Sequence, residues 1–216
     1  MEKLLKPLPL RERVYDALRK ELFHGSFTSG QRITEQAIAE SLGVSRTPVR
    51  EALNLFRKQG VLKQSHGGAY MFVSPSIKEL EDIFEIRRML EPLAARKAVK
   101  NCTQVDIEYL EELIHQEQDL LDEEDASRTY LHNAEFRKTF FHLCGNERLA
   151  NSIDEFMGHI LFHGILTLKT KNVRKIVIEG QSTIVSCLRE GDEEEMEIII
   201  LDYLDRSYET IMAAMK

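Results

Sequence analysis

Two groups of side chains in this 216-residue chain have types and spacing that can do chemistry. The first is the run Ser45-Arg46-Thr47-Pro48-Val49-Arg50. In a helix its two guanidinium groups, at i and i+4, share one face beside two hydroxyls. A guanidinium can hydrogen-bond guanine O6 and N7 together, and a well-made pair discriminates between bases by ~1 to 3 kcal/mol. The second group is a set of histidines and arginines further along: Arg87, Arg88, His132, Arg137, His142, His159 and His163. His159 and His163, also at i and i+4, could seed a zinc site. No motif supplies a carboxylate beside them and there is no HExxH, so they read as core or pocket-lining residues. The chain has no Gly-Xaa-Ser-Xaa-Gly elbow, P-loop or dinucleotide-binding glycine pattern, and a non-enzyme is expected.

The elements that would hold the first group are legible in the pattern. Residues 9 to 24 place Val14, Ala17, Leu18, Leu22 and Phe23 at helical spacing, with Gly25 following. After a turn at Ser29-Gly30, Thr34 is an N-cap for a short helix that closes at Gly43. Ser45 can cap a third helix, where Pro48 is tolerated in the first turn and Val49, Ala52, Leu53 and Phe56 form a buried stripe. Gly60 ends it, and two β-favouring runs flanking His66-Gly67-Gly68 predict a two-stranded wing. This order is that of a winged helix-turn-helix over residues 1 to 75, whose third helix enters the DNA major groove by its N-terminal end.

From Ile77 every long segment reads as helix, which predicts a mainly α chain with an all-helical bundle over residues 76 to 216. Six helices are expected there: 77–100, 104–122, 126–143, 147–169, 172–189 and 193–214. Residues 1 to 75 carry twelve Lys or Arg against seven Asp or Glu, whereas the remainder carries seventeen against twenty-nine. A basic head on an acidic body suits a protein that meets nucleic acid through one domain. No run of eighteen apolar residues occurs and the N-terminus lacks a signal peptide's apolar stretch, so a cytoplasmic protein without a membrane partner is expected. Cys102, Cys144 and Cys187 are odd in number and far apart, which suggests neither a disulfide framework nor a zinc knuckle.

The string VSRTPVREALNLFRKQGVL, preceded by EQAIAESLG and followed by a glycine-containing wing, resembles the N-terminal domain of the GntR family of bacterial regulators, with a match over residues 10 to 74. The resemblance implies that Arg46 and Arg50 read bases and that Gln36, Ser45 and Thr47 contact phosphates or base edges. It also implies that His66 and Gly67 approach the minor groove or backbone at the wing tip. Arg32, Arg57 and Lys58 read as phosphate contacts or, in the simpler reading, as a solvated basic face.

The segments LEDIFEIRRMLEPLAARKAV, EFRKTFFHLCGNERL and STIVSCLREGDEEEMEIIILDYL are similar to the FCD ligand-binding domain of the FadR branch, and six helices favour its shorter VanR-like subgroup. In that family many members hold a divalent metal through an Asp, a His one turn later, and two further His. The corresponding positions here are Asn133, Arg137, Gln181 and Tyr203. None is a good ligand, since an arginine brings a fixed positive charge and amides are weak donors, so no metal or other cofactor is expected. The four residues, with Arg87, instead mark an effector pocket. A buried Arg137 needs a partner, either an internal acid such as Glu179 or an anionic ligand held bidentately, and Glu91 is the candidate partner of Arg87. The whole implies a homodimeric, metabolite-responsive repressor of an inverted-repeat operator. The alternative is a ligand-independent regulator whose helical domain only dimerises.

Overall fold

The computed structural model describes residues 9–23, 26–27, 30–58, 60–65, 68–73, 76–121, 126–160, 164, 167–168 and 170–215. The chain divides into two compact units, residues 1–74 and 75–216.

In the first unit, α1 (Leu10–Phe23), α2 (Glu35–Leu42) and α3 (Arg46–Lys58) are joined by β1 (Arg32–Ile33), β2 (Leu62–Gln64) and β3 (Tyr70–Phe72). Helix α3 is central, and its Val49, Ala52, Leu53 and Phe56 are all buried. They meet Val14, Leu18 and Leu22 of α1 and Ile38 and Ala39 of α2, all buried too, and Tyr15 stacks on Phe56 at 4.4 Å. Thr34 caps α2 by accepting from the Ala37 amide, and Gly43 ends it at φ 64°. That left-handed conformation favours glycine, and it turns the chain sharply enough to start α3 three residues later.

The wing differs from the two-stranded expectation. The three strands form one antiparallel sheet in the order β1-β3-β2, with Ile33 opposite Tyr70 and Leu62 opposite Phe72. A two-residue strand such as β1 is too short to show an alternation of its own, and its pairing is supplied by partners 39 and 37 residues away. His66, Gly67 and Gly25 lie outside the described residues.

The second unit is all helical, so the chain as a whole is mainly α, a winged helix followed by a helical domain. Its described helices are α4 (Ile77–Asn101), α5 (Gln104–Asp119), α6 (Ala126–His142), α7 (Glu147–His159), α8 (Lys171–Glu190) and α9 (Glu193–Ala214). Capping boxes start α4 (Ser76 with Glu79) and α5 (Thr103 with Asp106), each satisfying two amides that a helix start leaves open. Helix α7 stops at His159, followed by a turn at Ile160, where a helix running to residue 169 was expected. Apolar stripes from these six described helices, including Phe84, Leu110, Phe136, Ile153, Val185 and Leu204, meet in one core. Helix α9 lies along α4, and Arg88–Asp205 and Arg96–Glu197 tie their exposed edges at 2.7 and 3.0 Å.

Candidate functional sites

The end of α3 that faces solvent is organised by one carboxylate. Glu35, in the first turn of α2, accepts from Arg46 Nη2 at 3.1 Å, Arg50 Nε at 2.9 Å and Arg50 Nη2 at 3.0 Å, and from the Tyr70 hydroxyl at 3.4 Å. The Arg50 hydrogen bonds, aided by Arg46, outweigh partial burial and hold the Glu35 carboxyl below the usual carboxylate range. Both guanidinium groups remain more than half exposed, at 61% and 55% of their side-chain surface. The arginines are therefore aimed and accessible at once. Ser45 and Thr47 are exposed at the same helix start, and Gln36 is exposed one residue after Glu35, bonded to Glu40. Nothing local in the sequence links residue 35 to 46 or 50, so the role of Glu35 shows only in the fold.

In the second unit, charge is buried among aromatic rings. Arg87 Nε donates to Glu91 Oε1 at 2.6 Å, and Arg137 Nη2 donates to Glu91 Oε2 at 2.8 Å. All three side chains are almost wholly buried. The Arg87 guanidinium sits 4.5 Å from the Phe84 ring, and that of Arg137 lies 5.1 Å from Phe141 and 5.5 Å from Tyr203. Burial works against ionising Glu91, but the two arginines outweigh it and hold its carboxyl low. Both guanidinium groups stay charged. One carboxylate between two cations leaves the cluster with a net positive charge.

A cavity of about 180 Å³ opens beside this cluster, and Arg87, Asn133, Arg137 and Tyr203 all line it. Tyr203 approaches α8 at Gly180, where a Cβ would stand 2.8 Å from its Cδ2, so only glycine admits the ring there. Gln181 does not line this cavity. It is buried beside Glu117 of α5, and neither its amide nor the Glu117 carboxyl completes a well-formed hydrogen bond. Burial pushes the Glu117 carboxyl up to about 7, with the Gln181 amide acting in the opposite sense. The internal acid for Arg137 is Glu91, 46 residues away, in place of the Glu179 considered from sequence.

The donor set does not fit a divalent cation. Arg137 has no lone pair to give and is already ion-paired, and Gln181 points away from the cavity lined by Asn133 and Tyr203. His142 pairs with Asp154 at 2.9 Å, and no cluster of three metal-binding side chains occurs among the described residues. The His159 side chain and His163 lie outside them.

A winged helix-turn-helix presenting paired arginines, followed by a helical domain with a cavity beside a buried charge cluster, defines a DNA-binding transcription regulator with a separate helical domain. The chain matches the model of the bacterial regulatory proteins of the gntR family over residues 10–72 and that of the FCD domain over residues 82–206. It belongs to the GntR family of transcription regulators, in the group that carries an FCD domain. It is 30% identical over 195 residues to the HTH-type transcriptional regulator McbR of Escherichia coli K12, covering 88% of this chain and 87% of that protein. It is 27% identical over 209 residues to the HTH-type transcriptional regulator YdhC of Bacillus subtilis strain 168, covering 96% and 93%. The solved structure of E. coli McbR/YncC superposes with a TM-score of 0.82 over 97% of this chain and 100% of that one, at 24% identity, a likeness of fold. No described helix is long and apolar enough to cross a membrane.

Proposed function

We propose that this chain is a homodimeric, sequence-specific repressor whose paired winged helices bind an inverted-repeat operator in the cytoplasm, and whose helical domain takes a small-molecule effector. The observation that carries the DNA reading is the solvent-facing start of α3, with Arg46 and Arg50 held side by side on Glu35. On DNA the two arginines exchange that carboxylate for base edges. Ser45, Thr47 and Gln36 take phosphates or neighbouring edges, and His66 and Gly67 reach the backbone or minor groove from the wing tip.

Dimerisation follows from the two-fold symmetry of an inverted repeat. A surface suited to it runs along α4, where Ile86, Met89 and Leu93 are exposed in one stripe, Met89 to 73%. The stripe has acidic Asp82 and Glu85 at one end and basic Lys97 and Lys100 at the other. Two copies packed antiparallel put Met89 against Leu93 twice and set each acidic end on its partner's basic end.

The cavity beside Arg87 and Arg137 supports an effector site, and its surplus positive charge suits a carboxylate. Effector binding lowers operator affinity only by as much as the effector prefers the conformation with poorly placed heads. The Arg137–Glu91 pair, which meets much of the arginine's need without a ligand, is the observation that favours the second reading, a helical domain that only dimerises.

Selection of genomic fragments by the purified protein at near-physiological salt tests the proposal. It should recover a short inverted repeat beside a few genes. Unrelated fragments bound equally well would leave a non-specific DNA binder.

A further inference from the structure

Arg50 meets Glu35 along one edge of its guanidinium, with Nε on Oε1 at 2.9 Å and Nη2 on Oε2 at 3.0 Å. A guanidinium carries five N–H donors in one fixed plane. The carboxylate takes two of them and leaves one hydrogen on Nη2 and two on Nη1. The pair that points outward, one from each Nη nitrogen, matches two acceptors lying side by side. Guanine offers such a pair in the major groove, O6 and N7, whereas adenine sets its N6 amino donor beside N7. An outward edge held in place therefore accepts guanine and rejects adenine. The Arg50 side chain is 55% exposed and that of Glu35 only 11%, so the arginine can reach DNA where the carboxylate cannot.

Other groups keep the carboxylate in its place. Glu35 opens α2, whose N-terminal amides favour an anion. The Tyr70 hydroxyl on β3 approaches Oε1 at 3.4 Å, and Arg46 Nη2 donates to Oε2 at 3.1 Å. Arg46 has a single bond to give up, against two for Arg50, so the exchange of carboxylate for base edge proposed above is complete only at Arg46. Charge acts in the same direction. Paired with Glu35, Arg50 presents little net charge to a phosphate, while a guanine edge is itself uncharged and needs only the hydrogen bonds. We infer that Glu35 is a positioning residue for base reading, which stays on Arg50 in the DNA complex, turns the free edge of that arginine to a guanine and withholds it from phosphates. The inference rests on the operator reading above and names both the base selected and the residue that aims the arginine at it.

Anisotropy titration of the full-length protein on its selected operator, with each guanine replaced in turn by adenine or by 7-deazaguanine, tests it. In wild type, replacing one guanine per half-site should weaken binding about tenfold or more, and Arg50→Ala should erase that penalty. Glu35→Gln keeps the size of the side chain but sets an amide donor against a guanidinium donor. It should cut the same penalty to about threefold or less and tighten binding to a random duplex, with an unchanged melting curve as the check on the fold. Glu35→Asp keeps the charge on a shorter arm and should cut the penalty while leaving random binding as it is. A misfolded head would weaken both duplexes instead. A full guanine penalty in Glu35→Gln and Glu35→Asp overturns the inference, as does a penalty at no guanine or one that survives Arg50→Ala. In each of those cases a wild-type preference for the operator leaves the operator reading standing. If wild type shows no such preference, that reading fails together with the inference.

Discussion

Glu35 and Glu91 do related work in different surroundings. Each carboxylate gathers two arginines, but the Glu35 trio stands at the surface and the Glu91 trio is enclosed. At the surface the pairs contribute little to stability and chiefly orient the donors. Glu35→Gln should therefore melt close to wild type while freeing Arg46 and Arg50 for phosphates. The salt dependence of non-specific DNA binding should steepen by about one in log–log slope, measured by anisotropy on a random duplex. An unchanged slope would mean that the carboxylate leaves the arginines fully available already. For the buried trio the expectation is reversed, because removing the acid strands two cations. Glu91→Ala should lose about 3 to 5 kcal/mol in denaturant unfolding, and a loss under about 1 kcal/mol would show that water already reaches the site.

Among the elements, the seam between α5 and α8 is the place where pH acts. Glu117 is raised from 4.5 to about 7, with burial as the cause. The folded state thus favours the protonated acid. The associated stability is fully present below pH 4.5 and is lost as pH rises through about 7. That difference corresponds to roughly 3 kcal/mol across the window. Glu117→Gln, which keeps the shape and removes the titration, should flatten stability between pH 5 and 8, and a slope identical to wild type would assign the effect elsewhere. On α4, Met89→Asp with Leu93→Asp should shift sedimentation from dimer to monomer and leave the helical content unchanged. A persistent dimer would place the interface on another face.

Local signals made most of these elements legible. The Val49, Ala52, Leu53 and Phe56 stripe, the Thr34 cap and the Gly43 and Gly60 stops each depend on residues within one or two turns. What the sequence could not show was pairing across distance. The β1–β3 ladder, the Arg46–Glu35 and Arg50–Glu35 bonds and the Arg137–Glu91 bond join residues 11 to 46 positions apart. The family resemblance assigns Gln181 to the effector pocket, yet the inner side of α8 is shared between the cavity and α5, and Gln181 falls beside Glu117. Only the packed bundle separates the two.

On the scale of the whole molecule, a head with twelve Lys or Arg against seven Asp or Glu is joined to a body with seventeen against twenty-nine. The acidic body repels the DNA backbone and so discourages contact through the wrong domain, while the head supplies the attraction that all DNA shares. Sequence preference must come from the few side chains that reach base edges. The most direct test is the affinity of wild type and of Arg50→Ala, by fluorescence anisotropy at near-physiological salt, for a selected operator and for a random duplex. Base reading by α3 predicts that wild type prefers the operator by about a thousandfold or more. Arg50→Ala should lose ~1 to 3 kcal/mol on the operator and little on random DNA. Equal affinity of wild type for both duplexes, or an unchanged preference in the variant, would contradict it.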